Sequence, residues 1–82
     1  MMTDDARWER RCRHVFALLR EAGITEREPR LNLFRWIVAD PTISSTNDLN
    51  ERELVLIADM LTTWKRAGEL ESNAREHARG EL

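Results

Sequence analysis

Apolar residues recur along this chain at spacings of three and four, the period of one helical face, in three separate segments. In the first, Trp8, Cys12, Val15, Phe16, Leu19 and Ala22 lie at i, i+4, i+7, i+8, i+11 and i+14. Thr3, Asp4 and Asp5 precede them and suit a helix start, where side-chain acceptors and negative charge meet unsatisfied amides. Gly23 then admits the left-handed backbone of a Schellman ending, which would press Ile24 onto Leu19.

The second segment runs from Pro29 to Ala39, with Leu31, Phe34, Ile37 and Val38 on one side and Leu33 and Trp36 near its edges. Its start has two readings. Thr25 with Glu28 resembles a capping box, whereas Pro29 suits the first helical position, where its missing amide proton costs nothing. Asp40-Pro41 ends the helix, because a residue before proline avoids the helical region. The stretch from Thr42 to Asp48 is rich in side chains that bond nearby backbone and predicts a turn. Ile43 within it is placed to plug the space between the second and third helices.

The third segment organises the rest. Asn50 caps it, Glu53 reaches back to the Asn50 amide, and Leu49 and Leu54 form a hydrophobic staple. Leu54, Ile57, Ala58, Leu61 and Trp64 recur on one face, and Val55 and Leu56 widen that face beyond what a single neighbouring helix can cover. Lys65 and Arg66 fall in the last turn, where positive charge suits exposed carbonyls, and Gly68 stops the helix near Ala67. Residues 69–82 continue no clear stripe, since Leu70 and Ala74 stand in a charged context, although Glu71 and Arg75 are correctly ordered at i, i+4. The pattern predicts an all-α, compact three-helix bundle over residues 1–68, followed at 69–82 by a charged, partly ordered C-terminal tail or helix extension.

Composition narrows the chemistry. At 82 residues the chain makes one domain, and its formal charge of −2 argues against non-specific nucleic-acid binding. Residues 1–40 carry eight Arg against seven acids and residues 41–82 five bases against eight acids, so the halves differ at +1 and −3. Lys65 is the one lysine among thirteen basic residues, an Arg bias typical of GC-rich genomes such as those of actinobacteria and their phages. No apolar run approaches the ~20 residues of a membrane span or resembles a signal peptide. Cys12 alone cannot close an internal disulfide, and these features predict a cytoplasmic protein that needs no cofactor.

Candidate chemistry is sparse. Cys12 and His14 point about 160° apart on a helix, and Cys12 sits in the apolar stripe, so the pair reads as core and surface rather than a metal site or nucleophile. His77 adds no ligand set of the kind zinc requires. Glu28 and Glu53 are explained as helix-start residues, Gly23, Gly68 and Gly80 form no phosphate loop, and Ser44 and Ser45 have no neighbouring histidine. No catalytic constellation is visible, and the expectation is a non-enzymatic chain.

Two surface features are candidate partner contacts. Arg7, Arg10, Arg11 and His14 lie at i, i+3, i+4 and i+7, a basic stripe with Arg13 further round. It reads either as a solvated face balanced by Asp4, Asp5 and Glu9, or as a surface for phosphates or an acidic protein, which arginine meets in a fork geometry. Trp8, Trp36 and Trp64 each lie near the edge of a helical stripe, where they either rim the core or, if two share an exposed patch, mark an interface.

Arg13 to Ala22, Gly23-Ile24, Leu31 to Val38, Ile43-Ser44-Ser45 and Asp48-Leu49 leading to Glu51, Glu53 and Leu61 together resemble a short helical domain of phage and actinobacterial recombination-associated proteins, and more distantly the Gem regulatory family of Mu-like phages. The resemblance covers about residues 13 to 64. It departs at Ala39-Asp40-Pro41-Thr42, where the related pattern has glycine and a basic residue. It implies a phage-encoded accessory to DNA metabolism or transcription. The expected function is therefore a protein-interaction module docking a host or phage protein through Arg7, Arg10, Arg11, His14, Trp8, Trp36 and Trp64, with no metal. The alternatives are direct nucleic-acid binding by the Arg stripe, and a structural homodimer built on the broad third helix.

Overall fold

Asn50 opens the central helix as its sequence requires. Its side chain accepts from the Glu53 amide at 2.8 Å, and the Glu53 carboxylate accepts from the Asn50 amide at 3.0 Å. This reciprocal cap contributes about 1 kcal/mol. The computed structural model describes residues 2–80, with side chains from residue 6 onward, as four helices: α1 (Met2–Glu21), α2 (Arg27–Val38), α3 (Glu51–Arg66) and α4 (Leu70–Ala78). The expected acidic start at Thr3, Asp4 and Asp5 concerns side chains outside those described.

The three-helix expectation is corrected at the C-terminal end, where residues 70–78 form a fourth packed helix. Leu70, Ala74 and Ala78 at i, i+4 and i+8 are buried against α2 and α3. Burial of Leu70 alone stabilises by roughly 1.5–3 kcal/mol. Two of the three core positions are alanines, which is why the stripe is faint in a charged segment.

α1 ends in a Schellman motif: the Gly23 amide donates to the Arg20 carbonyl at 3.1 Å and the Ile24 amide to the Leu19 carbonyl at 2.9 Å, with Gly23 at φ 81 and both apolar residues buried. The same geometry recurs after α3, where the Gly68 amide donates to the Lys65 carbonyl and the Glu69 amide to the Trp64 carbonyl. Neither reading of the α2 start holds. Glu26 is the N-cap and makes no side-chain cap bond, which places Pro29 third in the helix, where the amide it lacks still has no partner within the helix. α2 closes on Ala39, a non-glycine residue in the left-handed region at φ 57, before Asp40-Pro41.

Cross-links between α1 and α3 join Arg7 and Arg11 to Glu51, the Trp8 indole to the Leu49 carbonyl, and Glu21 to Lys65. Both partners advance together along the chain, so α1 and α3 run parallel. The ion pairs are exposed and stabilise little; they report the register. α3 packs against all three other helices, and Val15, Phe34 and Leu61, each fully buried, share one core with Leu54 and Ile57. Ile43 is buried in that core. The Arg30 guanidinium sits 5.0 Å over the Phe16 ring and ties α2 to α1.

Candidate docking surface

The arginine stripe divides. Arg7 and Arg11 both approach one oxygen of Glu51, at 3.2 and 3.4 Å, and the Trp8 indole between them donates to the Leu49 carbonyl at 2.8 Å. At the start of α3 the part-buried Trp8 bond fixes α1, and the two exposed ion pairs follow its register. Arg10 and His14 are exposed and make no ion pair among the described residues.

The tryptophans also divide. Trp36 is 48% exposed and stacks on His77 with ring centroids 3.5 Å apart and planes 15° from parallel. Trp64 is buried behind them, 6.2 Å from Trp36 and 5.8 Å from His77. Trp8 sits instead at the opposite end of α3, about 20 Å away along the helix at ~1.5 Å per residue. One aromatic cluster therefore forms, from Trp36, Trp64 and a histidine that stood apart in sequence. His77 falls beside the Leu70, Ala74 and Ala78 stripe, the signal that would have placed it.

Beside the stack runs a groove lined by Asn32, Arg35, Trp36, Ala39, Pro41 and His77, with Gly80 at its end. Its polar residues hold one another. Arg35 Nε donates to the Ile43 carbonyl at 2.7 Å and its Nη1 to Asn32 Oδ1 at 2.8 Å, while Asn32 Nδ2 donates to the Ala78 carbonyl at 3.0 Å. Asn32 thus satisfies a carbonyl in the last turn of α4, and Arg35 fastens the turn after α2. Asn32 and Arg35, at i and i+3 on α2, face each other across one helical turn; nothing in their residue types singles them out.

Around the turn, the Asp40 carboxylate accepts from the Thr42 hydroxyl and amide, which lowers its pKa. Asp48 accepts from the Ser44 amide and hydroxyl, with the same effect. Ser44 and Ser45 are accordingly turn-bonding residues, Ser45 capping the short 3₁₀ turn at Thr46–Asp48. Cys12 is half-buried beside the core, and burial pushes its thiol pKa up against the lowering effect of Arg30. Among the described residues no group of three or more His, Cys, Asp or Glu could hold a metal ion, and no helix is long and apolar enough to cross a membrane. No family model matches the chain, and no curated protein or solved structure shows significant similarity to it.

Proposed function

We propose that this chain is a non-enzymatic interaction module that docks a partner protein on the Trp36–His77 groove. The observation that carries the reading is the half-exposed Trp36, the largest apolar side chain on the surface, held flat by His77 on one face and backed by Trp64. An anchor already fixed by its neighbours loses little freedom on binding, and tryptophan and arginine dominate interface hot spots. Arg35 braces the groove wall beside it, its guanidinium held by Asn32 and the Ile43 carbonyl. The phage-protein resemblance supplies context only, a partner in DNA metabolism or transcription.

Arg7, Arg11 and Trp8 take a structural part in this reading, because their polar groups are engaged by Glu51 and Leu49. A photo-cross-linking residue in place of the exposed, groove-lining Pro41 tests the proposal in cells that naturally make the chain. The expected result is one dominant protein adduct that disappears when Trp36→Ala is added, with helicity unchanged. An absence of adduct, or an adduct indifferent to Trp36→Ala, overturns the reading.

A further inference from the structure

The face of α3 turned away from the core carries a second stripe: Arg52, Val55, Leu56 and Asp59 at i, i+3, i+4 and i+7. Leu56 is 46% exposed at its centre, Val55 is half-buried, and Val38 of α2 lines the same groove. Arg52 and Asp59 are exposed and make no ion pair among the described residues. Val55 and Leu56 widen the apolar arc of α3, and α1, α2 and α4 leave this part of it open.

The order of charges selects an occupant. Seven residues at ~1.5 Å place Arg52 and Asp59 about 10 Å apart, one on each side of the Val55–Leu56 centre. Opposite charges equidistant from an apolar centre make a self-complementary surface, which an isologous twofold contact requires. A twofold axis passing between Val55 and Leu56 brings Arg52 level with Asp59 of a second copy, and does so twice. Packed helices lie about 8–10 Å apart, within reach of an arginine side chain. Parallel pairing would instead set Arg52 against Arg52 and Asp59 against Asp59. We infer that this face is the interface of an antiparallel homodimer, with Leu56 packed at its centre and an Arg52–Asp59 pair at each end.

Mass in solution across a concentration series, with charge reversals at both ends of the stripe, tests the arrangement. The wild-type chain is expected to rise from 9.7 kDa toward twice that mass with concentration. Arg52→Glu alone and Asp59→Arg alone each set like charges together at both ends, and each is expected to weaken self-association about tenfold or more. Mixing the two variants restores both pairs in the heterodimer, so the mixture should associate at least as well as wild type. That recovery also shows that both variants are folded. A wild-type chain that stays at 9.7 kDa up to about 1 mM, as it would if another partner occupied this face, overturns the inference. A mixture that associates no better than either variant alone overturns it equally.

Discussion

Ala39 closes α2 at φ 57, ψ 42, a conformation in which an L-residue's Cβ crowds the following carbonyl. That crowding costs about 1–2 kcal/mol. Glycine removes the cost but loses about 0.5–1 kcal/mol more backbone entropy on folding. Ala39→Gly should therefore stabilise by about 0.5–1 kcal/mol, which for a chain of this size raises the melting temperature by about 2–8 °C. The complementary change isolates the cause. Gly68 has φ 74, and a Cβ there would meet nothing within 4 Å, so Gly68→Ala adds no clash and exchanges the same two terms, dihedral strain and backbone entropy, in reverse. It should lower the melting temperature by a similar amount. Thermal unfolding followed by circular dichroism at 222 nm reads both shifts. If Gly68→Ala falls while Ala39→Gly stays level or falls too, the left-handed backbone at Ala39 is not the stored strain assigned to it.

Further expectations concern the α4 dock, the turn and the arginines. Asn32→Ala removes the donor to the Ala78 carbonyl and should speed amide hydrogen exchange in α4 well above that in α1 and α3; uniform acceleration would refute a local tie. Asp40 and Asp48 should titrate below 3.8 by NMR. Because their folded pKa values are depressed, the stability they contribute is present above the unfolded value near 4 and is lost as pH falls through the folded values; midpoints at or above 3.8 would contradict the hydrogen bonding seen. Duplex and single-stranded DNA should show no salt-sensitive binding, since Glu51 engages Arg7 and Arg11; affinity falling steeply with salt would return the basic stripe to the functional site.

Sequence periodicity and capping chemistry made most of the scaffold legible. The Asn50–Glu53 box, the Gly23–Ile24 ending and the shared burial of Val15, Phe34 and Leu61 all follow from residue type and spacing. Leu33 lies deeper than an edge position implies, because α2 packs against both α3 and α4. α4 was obscure for a different reason. Its inward face uses alanines, whose small apolar surface gives a weak periodic signal, and a histidine whose stacking depends on Trp36 arriving from another helix. The candidate surface was legible in its tryptophans but not in their grouping, since the pairing of Trp36 with Trp64, and the exclusion of Trp8, is a property of how the helices cross.

The parallel run of α1 beside α3 carries a consequence for how the chain assembles. Parallel neighbours need a return crossing, and here α2 with the serine-rich turn is that crossing, so the α1 seam can close only by looping the whole connection. α4 follows α3 after a three-residue link and faces no such entropic toll. The α3–α4 pair should therefore nucleate early and α1 should join late. Because closure entropy grows only with the logarithm of loop length, doubling the connection should cost about 0.6 kcal/mol, a delay in folding and not a loss of the fold.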